Sequence, residues 1–205
     1  MMNKYISDMK NAVTTYKTAK DQAQQRYNEI KQLYGDEAAE KENSRLQKNL
    51  ATARSTAEAA IKEAYGEGVY AAEQWGKLDG SKLTDDIKLL DAGLVDVNEF
   101  EKLKSRHRDN ATMLMALKKF GEKQNATAQQ EQAKTGHLSL AEPYNTRDIV
   151  TLPDKLDNWK QAKAQALDYL DMVDGRGAYA DDWSKTLGKV MIDEGLSHFG
   201  EGGSF

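Results

Sequence analysis

The residues whose types and spacing come nearest to chemistry lie between positions 66 and 100. Gly66-Glu67-Gly68-Val69-Tyr70-Ala71 has the spacing of a dinucleotide fingerprint. That fingerprint works when a strand delivers the glycines to a helix N-terminus, where phosphate can sit. Here a helical run precedes it and no strand does, so a weak point in a helix is expected. Asp91-Ala92-Gly93-Leu94-Val95-Asp96-Val97-Asn98-Glu99-Phe100 has the residue order of the back half of a calcium loop. With Gly93 at the turn and Glu99 at the bidentate position, the first three ligand positions fall on Lys88, Leu90 and Ala92, and none of these carries a carboxylate. The segment reads instead as a helix stop at Gly93 and a helix start at Asp96 or Asn98.

The remaining chemical groups are dispersed. His107, His137 and His198 are far apart, so no helical metal pair exists, and each reads as a surface or satisfied packing residue. There is no GxSxG elbow, no GxxxxGK[ST] loop and no cysteine. The carboxylates lie in no recognisable glycosidase context and read as solvated helix faces. Neither catalytic residues nor cofactor or metal ligands are expected. Asn110-Ala111-Thr112 and Asn125-Ala126-Thr127 match glycosylation acceptors, but nothing signals secretion.

One stretch is locally basic: Lys102, Lys104, Arg106 and Arg108, then Lys118, Lys119 and Lys123. Interleaved Glu99, Glu101, Asp109 and Glu122 and a net charge of −4 point to a solvated face first, docking on an acidic protein surface second and nucleic acid third. No apolar run approaches a membrane span, and Asp8 interrupts an N-terminus without the apolar stretch of a signal peptide.

What positions these groups is helical. Of 205 residues, 30% are charged and 39% apolar, and only 2 are proline. That is the profile of long solvated helices rather than a compact α/β enzyme. Ile6, Met9, Val13, Tyr16, Lys20, Ala23, Tyr27, Ile30 and Tyr34 alternate by threes and fours, a coiled-coil seam broken only by Lys20. Lys20 could snorkel to the edge of that seam or fix its register, with a tolerated polar residue the plainer reading.

Gly35 stops this helix and Asp36 caps the next, which runs over residues 37–75 with Leu46, Leu50, Ala53, Ala57, Ala60 and Ala64 along one stripe. Small residues there can receive the large ones of the first helix, which favours an antiparallel hairpin about 45–50 Å long. The alternative is one helix bent at Gly35 that pairs with another chain.

Beyond Gly76 the pattern shortens. Leu83, Ile87 and Leu90 precede Gly93. Phe100, Leu103 and His107 follow on a second helix, and Met113, Leu114, Leu117 and Phe120 on a third that Gly121 stops. Residues 122–152 are rich in Gln, Ala, Thr and Asn and read as a linker or arm, helical at most at its start, with His137–Leu140 and Ile149–Leu152 able to pin it onto a neighbour. Thr151-Leu152-Pro153-Asp154 starts a helix with Leu156, Trp159, Ala162, Ala166, Leu170 and Val173 inward. A last helix from Tyr179 to Glu194 carries Trp183, Leu187, Val190 and Met191.

The segment KLTDDIKLLDAGLVDVNEFEKLKSRH resembles the short helical hairpin of bacterial and phage proteins called a SHOCT-type module, through Leu89, Leu90, Gly93, Leu94, Val95, Glu99, Phe100 and Lys104. Asp109-Asn110-Ala111-Thr112-Met113-Leu114 is similar to a DNPTML-like stretch in proteins of phages of Gram-positive bacteria, with Ala111 in place of proline. The resemblance covers about a fifth of the chain. It implies a phage or prophage setting and a helical interaction module.

The expectation is therefore an all-α chain. Residues 1–78 form an elongated, coiled-coil-like antiparallel helical hairpin, 82–121 a three-helix module, 122–152 an arm, 153–197 a C-terminal helical pair and 198–205 a tail. Its expected role is non-enzymatic: a virion structural or head-assembly, scaffold-like protein of a phage or prophage. It would act in the virion or host cytoplasm through protein partners, itself included, without small-molecule substrate or membrane. A cytoplasmic helical adaptor or regulator that touches DNA through residues 83–120 is the alternative. Docking is expected at Leu90, Leu94, Phe100, Lys104, Met113, Leu117 and Lys118 in the module, and at Trp159 and Trp183 in the C-terminal helices.

Overall fold

The computed structural model describes residues 2–136, 142–176 and 196, and all its regular structure is helical. In order these are α1 (Met2–Tyr34), α2 (Asp36–Gly76), a 3₁₀ turn (Gly80–Lys82), α3 (Asp86–Asp91), α4 (Val97–Arg106), α5 (Ala111–Thr135) and α6 (Leu152–Val173). The chain divides into two compact units, one of residues 1–70 and 157–204, the other of 71–156. The C-terminal helix expected at 179–194, with Trp183, lies outside the described residues, as do His137 and His198.

In the first unit α1 and α2 form the antiparallel hairpin. Lys31 Nζ lies 2.9 Å from Asp36 across the turn. Further along, Lys20, Ala23 and Tyr27 share a groove with Asn43, Leu46 and Leu50. Near the far end Lys4 Nζ is 3.6 Å from Glu67. Partner numbers rise on one helix as they fall on the other, which is the antiparallel register.

The turn is a single residue. Gly35 has φ +83°, its N–H donates to Lys31 and its carbonyl accepts from Ala39. A left-handed residue at this point suits glycine. Gly35 thus ends α1 and begins α2, and Asp36, expected as the cap, lies inside the first turn with Glu37, where acidic groups complement the helix dipole.

The remainder of α6, from Asp157, packs as a third helix of this unit. Trp159 stacks edge-on against Tyr5 with centroids 5.9 Å apart and passes over Gly68. A Cβ at Gly68 would lie 2.7 Å from the indole, so the glycine of the apparent fingerprint makes room for a tryptophan. Lys163 lies over the Tyr65 ring at 4.6 Å, and Arg54 meets Asp171 and Asp174. α6 therefore runs parallel to α1 and antiparallel to α2. Ala57, Ala64, Ala162 and Ala166 are buried together with Met9, Val13, Tyr16 and Ile61, so small residues on α2 and α6 admit the large ones of the seam.

The second unit has a core of Leu90, Val95, Phe100, Leu103, Leu114, Leu117 and Ile149. Its helix boundaries are chemically explicit. Gly93 (φ +67°) closes α3 in a Schellman pattern, with Leu94 N–H to Leu89 O at 3.0 Å and Gly93 N–H to Leu90 O at 3.1 Å. Asp96 accepts the Glu99 N–H at 2.8 Å, and Asn110 accepts that of Met113 at 3.2 Å.

One expectation is corrected here: Gly121 does not stop α5, which continues to Thr135. Glycine is present because the chain at 144–146 crosses the helix at that point. A Cβ would lie 2.5 Å from Thr146 Cγ2, 3.1 Å from Phe100 Cζ and 3.2 Å from Tyr144 Cβ.

Candidate interaction surfaces

The part-buried polar clusters of both units hold helices together. In the first unit they gather where α6 ends. The Tyr16 hydroxyl donates to Asp174, Lys20 Nζ donates to the Val173 carbonyl, and Arg54 reaches Glu58 (3.0 Å), Asp171 (2.6 Å) and Asp174. Gly175 (φ +74°) and Arg176 complete the helix end, with Arg176 N–H to Asp171 O at 2.8 Å. Cations from α1 and α2 thus meet the negative end of the α6 dipole and its freed carbonyls.

The titration behaviour follows from this geometry. Burial pushes the Tyr16 hydroxyl up to about 12, helped by Asp174. Burial would raise the Asp174 carboxyl too, but the Tyr16 and Arg54 hydrogen bonds and the Lys20 and Arg54 charges outweigh it and hold the group below the usual carboxylate range. Burial likewise opposes the charge on Arg54, and its bonds to Asp171, Asp174 and Glu58 more than compensate, so it is held charged more firmly than a free guanidinium. Lys20, the break in the seam, is one half of this clasp.

In the second unit, His107 is buried with Nε2 2.8 Å from Asp86 Oδ2, which also faces Arg106 at 3.1 Å. The His107 hydrogen bond, with Arg106, holds the Asp86 carboxyl below its ordinary range. This cluster ties α3 to α4.

The described part of the arm is fastened to its own unit. Asn125 exchanges two hydrogen bonds with the Tyr144 backbone (2.8 and 2.9 Å), and the Tyr144 hydroxyl donates to Val95 O at 2.8 Å. The Tyr144 ring stands edge-on to Phe100 and Phe120, and Ile149 enters the core. Both acceptor-like asparagines, Asn110 and Asn125, thus have structural work. No group of three or more His, Asp or Glu among the described residues is placed to hold a metal ion. No described helix is long and apolar enough to cross a membrane.

The residues expected to dock partners separate by burial. Leu90, Phe100, Met113, Leu117 and Trp159 are core residues, so in this conformation they build the units and offer little surface. Lys104 is largely covered and bridges Glu101 (2.8 Å), Asp148 (3.6 Å) and Asn145 O (3.2 Å). Leu94 is 72% exposed, and Lys118 is partly exposed. Of the basic stretch, Lys102, Arg106 and Arg108 also face carboxylates. Lys118, Lys119 and Lys123 form no ion pair within 4 Å among the described residues.

Two surfaces were not singled out in the sequence. One is the hairpin tip, where Leu33 is 71% and Tyr34 73% exposed. Tyr34 continues the seam pattern, but nothing covers it among the described residues. The other is a cleft of about 400 Å³ in the second unit, walled by Trp75, Leu78, Met115 and Leu152, with Lys118, Lys119 and Glu122 on its lining. Gly76 permits the close approach of Leu152, since a Cβ would lie 2.9 Å from that side chain. Lys155 lies over the Trp75 ring at 4.3 Å, and burial lowers its pKa. No family model, no curated protein and no solved structure matches this chain.

Proposed function

We propose that this chain is a non-enzymatic, scaffold-like assembly or virion structural protein of a phage or prophage, acting through helical protein–protein contacts. The observation that carries the reading is the division of labour among its side chains. The polar clusters at Asp174 and Asp86 are consumed in joining helices, while large apolar side chains remain exposed at Leu33, Tyr34, Leu78 and Leu94. A long helical hairpin supports it further, because such elements present extended surface for little buried core. The phage setting rests on the resemblance at residues 82–114. Virion and host cytoplasm are both compatible with it.

Sedimentation velocity and light scattering across a concentration series test the assembly role. Concentration-dependent self-association is expected, and a strict compact monomer that also captures no structural partner would refute it. The neighbouring genes test the setting: capsid and portal genes are expected, and metabolic neighbours would sink the phage assignment.

One observation favours a second reading, a regulator that touches DNA: Lys118, Lys119 and Lys123 form no ion pair within 4 Å among the described residues, while Lys102, Lys104 and Arg106 of α4 do. Salt-sensitive DNA retention, lost in Lys118→Gln/Lys119→Gln, would establish it.

A further inference from the structure

We propose that the cleft beside Lys118 and Lys119 receives the hairpin tip, Leu33-Tyr34-Gly35-Asp36-Glu37, of a second copy of this chain. The inference rests on the assembly reading and names its contact.

The argument is one of complementarity between two surfaces that this chain itself carries. The cleft is apolar where Trp75, Leu78, Met115 and Leu152 wall it, and its charged lining is Lys118, Lys119 and Glu122, a net positive set. Neither lysine meets a carboxylate within 4 Å among the described residues, although the Lys118 charge is near enough to help lower the pKa of the Asp154 carboxyl. A fitting occupant therefore offers one or two large apolar side chains followed at once by carboxylates. The tip has that order. Among the described residues Leu33 and Tyr34 are the most exposed large apolar pair adjacent in sequence, and Asp36 and Glu37 follow them across one glycine. Asp36 keeps 83% of its side-chain surface despite its pairing with Lys31, and Glu37 is exposed with no ion pair among the described residues.

The tip also presents its side chains at little entropic cost. Both flanking helices are regular up to Gly35, so a rigid turn enters the cleft and few bonds are frozen on binding.

The two surfaces are different patches, so the contact is heterologous: every copy offers one tip and one cleft. Such contacts propagate head to tail into open chains or close into rings. A contact made by one turn buries less than the ~1,200 Å² of a stable standard interface, so each link is weak and reversible. A weak link that repeats suits a structure that must assemble in order and correct its errors.

Full-length chains test the pairing directly. One variant blunts the tip (Leu33→Ser/Tyr34→Ser) and another reverses the cleft (Lys118→Glu/Lys119→Glu). Circular dichroism confirms that each folds, and sedimentation velocity follows each from about 1 to about 500 µM. The wild type is expected to grow beyond dimers with concentration, and each variant alone to stay monomeric. An equimolar mixture should form dimers and nothing larger, since only one intact tip and one intact cleft remain. If the reversed cleft unfolds, Lys118→Gln/Lys119→Gln replaces it.

Charge exchange supplies a second measurement: Asp36→Lys/Glu37→Lys combined with Lys118→Glu/Lys119→Glu in one chain should restore growth beyond dimers, because the swapped tip and the swapped cleft are again complementary. A wild type that is monomeric throughout overturns the docking and self-assembly together. Association that survives in both variants, or is lost in only one, overturns the docking and leaves the assembly reading standing. A mixture that stays monomeric also overturns the docking.

Discussion

The two halves of the α1–α2 hairpin carry one seam and have different fates. Between residues 6 and 16 the seam residues Ile6, Met9, Val13 and Tyr16 are buried, and Ala57, Ile61 and Ala64 are buried opposite them. Between residues 21 and 50 only Ile30 and Ala39 are buried, while Ala23, Tyr27, Leu46 and Leu50 stay partly exposed. The difference is the third helix. α6 covers the first half, ends at Val173 against Lys20 and Arg54, and among the described residues leaves the second half as a pair of helices. A heptad pattern states that one face wants covering, and the number of helices available decides how well it is covered.

The largest effect should follow from removing the indole that seats α6. Trp159→Ala leaves a cavity between Tyr5 and Gly68 and should cost about 3–5 kcal/mol in chemical denaturation. Tyr27→Ala, in the two-helix stretch, should cost about 1 kcal/mol or less because its ring is already partly in water. Equal losses would break the comparison and mean that the tip half is covered by something else.

Ala57→Trp comes next. Overpacking the three-helix half should destabilise it by about 1–3 kcal/mol, or expel α6, with a lowered thermal midpoint as the readout. Unchanged stability with a shifted oligomer size would instead mean that the seam pairs between chains.

The sequence made the hairpin legible because its signals are local. A seam of threes and fours, a glycine between two helical runs and an alanine stripe all lie within one or two turns of what they determine. The short helices of the second unit were legible for the same reason: Gly93, Asp96 and Asn110 act on backbone groups within a few residues. What could not be read depended on distant partners. Lys20 looked like a defect because its partner Asp174 is 154 positions away. Gly121 looked like a stop because glycine has poor helix propensity, whereas the structure needs an absent Cβ where Thr146 crosses.

The sequence does not separate packing residues from docking residues for a related reason. Large apolar residues such as Phe100 and Trp159 mark the core and a docking face with the same letters, and only burial separates the two. The tip needed no homologue to be noticed. An apolar pair at a turn, followed by two acids, is already anomalous, since a turn has no core to face.

The last prediction concerns the clasp, and its sign can be worked out. Asp174 has a folded-state pKa below its unfolded value, which for a free aspartate is about 3.9. The stability it contributes is therefore whole above the unfolded value and is lost as the pH falls through that value towards the lower, folded one. Asp86 is depressed too, by His107 and Arg106, so acid loosens both units and a simple pH titration of stability would not isolate the clasp. The difference between wild type and Asp174→Asn does isolate it, because the Asp86 contribution is common to both chains and cancels. That difference should be about 1 kcal/mol between pH 5 and 8, since Arg54 keeps Asp171 and Glu58 when Asp174 is neutralised. It should narrow as the pH drops below about 4, where the unfolded chain takes up the proton first, and close only below the lower folded-state value. A gap that persists into acid would mean that Asp174 holds α6 by shape and hydrogen bonding rather than by charge. The two-helix half of the hairpin would then begin at Lys20 for steric reasons, and not because an ionic lock closes the covered half there.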